Sequence, residues 1–308
     1  MAMRPVESTW YRDFIFNLTR TKTRYDEAIS QTTSGKKLNH LSDNPADMAY
    51  VLTLRSKMGQ IDQFEKNINS ASGFLGASES ALNQVQNLLS SVVSLAEQGA
   101  SESTGAEGRR IIADNIDQVR DELMNYANTE FMGNYIFAGS ATDTVPFVKA
   151  ADTWDGVNNI WIPGVISYQG NSDTINIQAD FSATVATNVP GDQVFVNQND
   201  IFDRLSILIQ ALRRNDTAGI GTQIGSMNEL IDQISESVGT IGNKTSHLTQ
   251  IKGMLENFKT AMQSKMSSLE DADMAEAITN LSREEVALQA ALQSGARIQR
   301  FSLMNYLE

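Results

Sequence analysis

Apolar residues repeat at helical spacing over two long stretches of the chain. The first stretch alternates steps of three and four residues from Ile61 to Ala96, and ten of its eleven positions are apolar. The second runs from Ile220 to Leu269, with twelve of fifteen positions apolar. Seven-residue repeats of this length are typical of helices that pack along one seam and supercoil. The pattern therefore predicts two long helices, each of about 50 residues and about 75 Å.

Shorter amphipathic segments accompany these helices. A third helix is predicted over about 108–133, and weaker apolar stripes begin near Phe14 and Met274, close to the two ends. A narrow stripe on one helix needs a partner to cover it, so the two ends are expected to pair. We predict a mainly α fold, an elongated coiled-coil or helical-bundle rod whose N- and C-terminal halves meet.

The middle of the chain differs from the helical parts in composition and in predicted secondary structure. Residues 140–200 contain one lysine and seven aspartates, and short β-favouring runs alternate with turn residues. The predicted strands are Ile160–Ile162, Val165–Tyr168, Thr174–Gln178 and Gln193–Val196. We expect a small antiparallel β domain inserted between the helical halves.

These patterns divide the chain into five predicted parts. They are an N-terminal helix (1–40), the first half of a helical rod (41–139), a β-rich outer domain (140–200), the second half of the rod (201–270) and a C-terminal helix (271–308).

Composition removes several classes of function. The chain has 308 residues, no cysteine and two histidines, so thiol chemistry and zinc sites built on Cys or His have little or no material. The net charge is −13, which repels nucleic-acid backbones. No apolar run is long enough for a membrane span, and the N-terminus lacks an apolar signal core. We therefore expect no membrane insertion, no nucleic-acid partner and no cleaved secretory signal.

Two motifs hint at catalysis or ligand binding, and both have simpler explanations. Gly219, Gly221 and Gly225 miss the dinucleotide-binding spacing by one residue and follow no strand, so a helix start is favoured. Acidic clusters lack the central glycine of a calcium loop or occur where turns and helix starts favour aspartate. These acidic residues are Asp152, Asp155, Asp173, Asp180, Asp271, Asp273 and Glu276. An acidic hydrolase is the weakest alternative; we expect no enzyme activity, cofactor or metal.

One loop motif is informative. The segment Ser34–Asp47 reads Ser-Gly-Lys-Lys-Leu-Asn-His-Leu-Ser-Asp-Asn-Pro-Ala-Asp. Gly35 suits a helix C-terminal cap, and Asp43 or Asn44 suits the cap of the next helix with Pro45 in its first position. The segment resembles the N-terminal loop of the flagellin superfamily.

Further blocks are similar to one branch of that superfamily. The segment Gly133–Ser140 resembles the core exit of the hook–filament junction family. Its β-domain strands are resembled by Gly164–Gly170 and Gly191–Phe195, and its terminal helix by Glu284–Glu308. The blocks cover both ends and the middle. The order and spacing of these blocks make the resemblance specific.

The resemblance implies a secreted structural subunit of the bacterial flagellum that adapts the hook to the filament. It implies self-assembly, contacts with hook-associated protein 1 and flagellin, and export without cleavage by the flagellar type III apparatus and its chaperone. Flagellin itself is the nearer alternative, and a coiled-coil adaptor that does not polymerise is the more distant one.

Two groups of site residues follow from this expectation. The expected assembly interface consists of Phe14, Leu18, Tyr25, Ile278, Leu281, Leu288, Leu292 and Ile298. The expected inter-domain loop contains Gly35, Asn39, Ser42, Asp43, Asn44 and Pro45.

Overall fold

The computed structural model describes the backbone of residues 4–197 and 199–307, and the side chains of residues 9, 11–197 and 199–297. Helices dominate this described part. They are α1 (Arg4–Ser34), α2 (Pro45–Ala100), α3 (Ala106–Ala127), α4 (Ile201–Arg213), α5 (Thr217–Glu270) and α6 (Met274–Leu307). The strands are β1 (Glu130–Phe131), β2 (Asn134–Tyr135), β3 (Phe147–Lys149), β4 (Thr153–Asp155), β5 (Ile160–Ile162), β6 (Ile166–Tyr168), β7 (Asn176–Gln178) and β8 (Thr184–Ala186).

The strands form antiparallel pairs. In the described chain these are β1 with β2, β3 with β6, β4 with β5 and β7 with β8. The β4–β5 hairpin lies between β3 and β6 in the sequence, so residues 147–168 form one interrupted two-stranded ribbon, called the ribbon below. The prediction of a mainly α fold with a small antiparallel β insertion is confirmed.

The chain divides into two compact units. The terminal unit is Met1–Gln60 with Asn257–Glu308, and the central unit is Ile61–Glu256. The long helices α2 and α5 contribute residues to both units. The five-part division drawn from the sequence stays a prediction.

The core of the central unit follows the predicted seam. All eleven positions from Ile61 to Ala96 are buried, each at most 7% exposed. The single polar member, Ser78, is accommodated because its hydroxyl donates to the Phe74 carbonyl at 2.9 Å. Helix α5 runs antiparallel to α2 and contacts it through polar side chains at two levels. Asn69 accepts from Lys252 at 3.0 Å, and Gln86 donates to Ser235 at 3.1 Å.

The second helical half consists of a short helix, α4, followed by the long helix α5, and the sequence pattern did not predict this division. Asp200 caps its start by accepting from the backbone N–H groups of Phe202 and Asp203. The helix packs on α3 and ends at Arg213, and Asn215 then takes a left-handed conformation with φ 58°. Helix α5 starts at Thr217, so the predicted helix start near Gly219 is confirmed.

One predicted strand is wrong. Residues Asp192–Val196 form a π-helical turn instead of the expected strand Gln193–Val196. Consecutive strand residues point to opposite faces, whereas Val194 and Phe195 are both fully buried. A helical turn lets both neighbouring side chains enter the same core, which explains the difference.

An aromatic cluster joins the β-rich region to α4. The centroid of the Phe147 ring lies 5.1 Å from that of Tyr168 and 5.3 Å from those of Phe195 and Phe202. The Tyr168 hydroxyl donates to the Phe137 carbonyl at 2.9 Å. Burial, with a smaller contribution from a nearby carboxylate, raises the pKa of Tyr168 to about 12. The hydroxyl therefore remains a donor at neutral pH.

A buried arginine anchors the ribbon to α3. The Arg120 side chain has no exposed surface, and its Nη2 donates to the carbonyl of Gly164, which lies between β5 and β6. Its nearest carboxylate is Asp117, with Nη1 and Oδ1 3.7 Å apart. Burial lowers the pKa of the Arg120 guanidinium, although the neighbouring carboxylates oppose that shift. Sequence reasoning missed Arg120 because an arginine is normally expected on the solvent side of a helix.

Replacing Arg120 tests this anchor. Arg120→Ala empties a buried side-chain position and leaves the Gly164 carbonyl without its donor, while Asp117 keeps Arg213 as its remaining cation. We expect the free energy of unfolding to fall by about 3–5 kcal/mol in urea titrations. Arg120→Met, which fills the space without charge, is expected to recover most of that loss. The control is Arg110→Ala on the same helix, which removes only an exposed pair with Glu107 and should leave the free energy of unfolding nearly unchanged. Equal effects at both positions would contradict the assignment.

Candidate assembly site

The terminal helices α1 and α6 pack antiparallel along much of their length. The Phe14 ring lies over Gly295, where a side chain would not fit without displacing the ring. Farther along, Arg24 Nε lies 3.7 Å from Glu284 Oε2. Near the other end, the Thr32 hydroxyl lies 3.4 Å from the Ala277 carbonyl. The predicted pairing of the two ends is therefore observed within the terminal unit.

The predicted interface residues separate into two groups. Five are half-buried in the described chain and lie along the two paired helices: Phe14, Leu18, Tyr25, Leu281 and Leu288. Ile278 and Leu292 are each 54% exposed. Ile298 lies outside the residues whose side chains are described. The first group accounts for packing within the pair, whereas the second group is available to other molecules.

More apolar surface is exposed than the sequence stripe indicated. Large apolar side chains on the outer sides of the pair are Tyr11, Ile15, Phe16, Ile29, Met274 and Val286. The sequence stripe included Met274, but it missed the other five because it followed a single line of residues on each helix. Together with Ile278 and Leu292, these residues form what we call the outer apolar surface. Apolar exposure on this scale is a common property of surfaces that bind another protein.

The loop between α1 and α2 is closed by backbone and side-chain caps. Gly35 ends α1 in the left-handed conformation, with φ 69°, as the sequence predicted. Asn44 caps α2 by accepting from the N–H of Asp47 at 3.2 Å, and Pro45 occupies the first helical position. Asp43 accepts from the N–H groups of Asn39 and His40 at 2.9 and 2.8 Å.

The other predicted loop residues have smaller roles. The Asn39 amide donates to the Lys36 carbonyl at 2.9 Å, which closes the turn after α1. The Ser42 hydroxyl lies 3.5 Å from Asp43 Oδ1. Backbone N–H donors, of which that of His40 is the largest contributor, hold the pKa of Asp43 below its ordinary value.

Glu270 fastens this loop to the α5–α6 connection. Its carboxylate contacts the Lys36 ammonium and lies 2.5 Å from Arg55 Nη2. Its backbone carbonyl accepts from the N–H of Lys37 at 2.7 Å, and the N–H of Ala272 donates to the Gly35 carbonyl at 2.9 Å. Both segments that connect helices in the terminal unit are therefore held at one point, which we call the Glu270 clamp.

The electrostatics of the clamp favour the ionised form. Glu270 is 3% exposed, and burial raises the pKa of its carboxyl, but hydrogen bonds from Lys36 and Arg55 more than offset this. The net result is a pKa below the ordinary value of 4.5. Sequence reasoning found the loop but missed Glu270, because it lies more than 200 residues away along the chain.

The other candidate motifs have structural roles. Gly219, Gly221 and Gly225 lie inside α5, and Asp273 caps α6 by accepting from the Ala275 N–H at 2.9 Å. The four candidate aspartates among the seven of the middle region are used in hydrogen bonds: Asp152 with Gly164, Asp155 with Val157, Asp173 with Ser140, and Asp180 with Ser182 and Ala183. Nothing in this arrangement aligns two carboxylates for acid–base catalysis.

Two features of the described residues bear on other classes of function. None of the helices is long and apolar enough to cross a membrane. In the same part of the chain, no group of three or more acidic residues or histidines is placed to hold a metal ion.

Comparison with known proteins identifies relatives over nearly the whole chain. The bacterial flagellin N-terminal helical region matches residues 14–142, and the C-terminal helical region matches residues 224–307. Flagellar hook-associated protein 3 of Salmonella typhimurium is 22% identical over 98% of both chains. Flagellin B of Helicobacter pylori is 25% identical, over 69% of this chain and 41% of its own. The FlgL structure of Xanthomonas campestris has the same fold, with a TM-score of 0.59, 15% identity, and coverage of 68% of this chain and 98% of its own.

The Glu270 clamp should respond to pH in a defined direction. Because the folded pKa lies below the unfolded one, the ionised group stabilises the loop at neutral pH, and this contribution disappears as the pH falls through the folded pKa. Hydrogen-exchange protection at Lys37 and Leu38, corrected for intrinsic rates, should therefore drop below about pH 4. Asp43, in the same loop, shifts in the same direction.

The Glu270→Gln variant tests whether the ionised Glu270 carboxylate is responsible for the protection at neutral pH and for its loss in acid. At neutral pH it should reduce protection of these amides by about 1–3 kcal/mol and flatten the remaining acid dependence. The control Glu107→Gln removes an exposed carboxylate paired only along its own helix, and should leave both properties unchanged. Wild-type protection and acid dependence in the Glu270→Gln variant would rule out the clamp.

Proposed function

The chain belongs to the bacterial flagellin family, and on that premise we propose that it is a structural subunit of the hook–filament junction of the bacterial flagellum. The observation that carries this proposal is the match in length. The Salmonella hook-associated protein 3 aligns with this chain over 98% of both, whereas flagellin B of Helicobacter pylori extends far beyond the aligned part. This favours the junction subunit over the filament subunit.

The outer apolar surface explains how such a subunit would assemble. Two paired helices bury only one side of each, so side chains such as Phe16 and Ile278 gain stability only when a neighbouring molecule covers them. Repeated contacts between different faces of identical subunits produce a ring if they close and a helical assembly if they do not. Copies of this chain are therefore the first partners in the proposal.

The remaining partners follow from the position of a junction. Hook-associated protein 1 would lie on the hook side and flagellin on the filament side, so the subunit presents one surface to each. The proposed route to this position is export through the flagellar type III apparatus with an export chaperone, which makes the chain a secreted protein. The role is mechanical and needs no catalysis or cofactor.

The Glu270 clamp fits a mechanical role. A subunit that passes force between two polymers needs connections that hold their geometry under load. In the terminal unit, the two helix connections are held together at Glu270, by its buried carboxylate and by backbone hydrogen bonds. We assign to the segment Gly35–Pro45 the function of setting the direction in which α2 leaves the terminal helices.

Deleting the gene tests the junction role directly. We expect hooks without filaments by electron microscopy, and monomeric flagellin in the culture medium, because filament subunits would have no surface on which to polymerise. Normal filaments in the deletion strain would contradict the proposal and favour a redundant filament subunit. Complementation with the wild-type gene is the control.

Point substitutions distinguish assembly from folding. Ile278→Asp charges an exposed position, so the monomer should keep its helical circular dichroism while incorporation into flagella is lost. Leu281→Asp charges a half-buried position, so it should disrupt the α1–α6 pair itself as well as incorporation. The matched control is Ser282→Asp, an exposed polar position on the same helix turn. Normal incorporation of the Ile278→Asp variant would exclude the outer apolar surface from assembly.

A further inference from the structure

The two faces of the β4–β5 hairpin have opposite environments. On one face Ile160 is buried and β5 packs against α4. On the other face Trp154 and Trp161 are directly paired across the strands, with ring centroids 5.3 Å apart and ring planes at 62°. The two indoles are 50% and 55% exposed. We call them the tryptophan pair.

The hairpin is attached to the helices without help from the exposed faces of the indoles. Arg213 Nη1 donates to the Trp161 carbonyl at 2.7 Å, and Arg214 Nη2 lies 3.5 Å from Asp155 Oδ2. From α3, Arg120 donates a hydrogen bond to the Gly164 carbonyl of the ribbon. These contacts involve backbone atoms or side chains other than the indoles. The hairpin therefore presents the tryptophan pair on a fixed support, and its attachment does not account for two large exposed rings.

Apolar exposure continues around the pair. Val157, at the tip of the hairpin, is 93% exposed, and Val148 and Val165 on the same ribbon are also exposed. Large apolar side chains concentrated on one short ribbon are unusual for a surface that contacts only water. Tryptophan is also the residue most enriched at the energetic centres of protein interfaces.

The charge around the hairpin indicates which charge a binding partner should carry. Residues 140–200 carry seven aspartates against one lysine. Lys149 already lies 2.7 Å from Asp121, and Arg213 lies 2.9 Å from Asp114. Each of these ion pairs is neutral overall, and Arg214 offsets Asp155, so the unbalanced charge of residues 140–200 is negative.

We propose that the tryptophan pair is a docking site for a basic polypeptide segment. Arginine or lysine side chains of the partner would lie over the indole faces, where the ring quadrupole attracts a cation, and the aspartates would supply longer-range attraction. This binding function is additional to the proposed junction role, because it uses the central unit rather than the terminal helices.

Calorimetric titration of the full chain tests the proposal. The probe is a synthetic peptide of about ten residues that alternates arginine and serine, and the comparison peptide replaces each arginine by glutamate. Trp154→Val/Trp161→Val removes the rings but keeps the charge and the β propensity, and should weaken binding about tenfold. Trp154→Phe/Trp161→Phe keeps aromatic rings and should retain intermediate affinity. Phe258→Val, at an exposed aromatic position on α5, is the matched control.

The outcomes separate the explanations. The proposal is supported if the double valine variant loses affinity while the phenylalanine and Phe258→Val variants keep most of it, and if the glutamate peptide does not bind. It is overturned if the wild-type chain does not bind the arginine peptide, or if the double valine variant binds as tightly as wild type, which would indicate charge attraction alone. Hydrogen exchange at Ile160 and Ile166 checks that the ribbon stays folded. A junction defect with normal peptide binding would separate this function from the proposed assembly role.

Discussion

The uninterrupted burial of the apolar seam of α2 is the constraint on which the central unit depends. Eleven seam positions from Ile61 to Ala96 are buried without interruption, so this side of α2 has no room for a charged residue. Polar contacts at the edges, such as Gln86 with Ser235, set the register but do not replace the apolar seam. The shorter helices α3 and α4 and the β-rich region can be irregular because this seam provides a stable support.

The pair of terminal helices, α1 and α6, buries its apolar residues less completely than α2 does. Its stripes are narrower, Thr21 and Glu284 are buried within them, and large apolar side chains remain exposed on its outer sides. A single molecule therefore leaves part of its hydrophobic stabilisation unused, which is a useful property for a subunit whose ends are completed by neighbours. The Glu270 clamp adds polar contacts where the two helix connections meet.

Much of the candidate site could be predicted from local sequence. Gly35, Asn44, Pro45 and Asp273 have the expected capping roles, because a cap depends on residues within a few positions of the helix end. The stripe on α1 and α6 also predicted the half-buried members of the pair. The same reasoning could not separate Leu281, which packs within the pair, from Ile278, which is exposed. That distinction depends on how the two helices are rotated against each other.

The sequence alone determined the helical periodicity, the position of the β insertion, the ends of the terminal helices and the resemblance to flagellins. Each of these rests on short-range pattern, and the steps of three and four residues along α2 are the clearest case. The tertiary structure decided where Arg120 and Glu270 are buried, why Val194 and Phe195 lie in a helical turn, and which indole faces remain exposed. These features depend on partners far away in the chain. The stability that a charged or aromatic side chain contributes depends on those partners, and the sequence around it does not identify them.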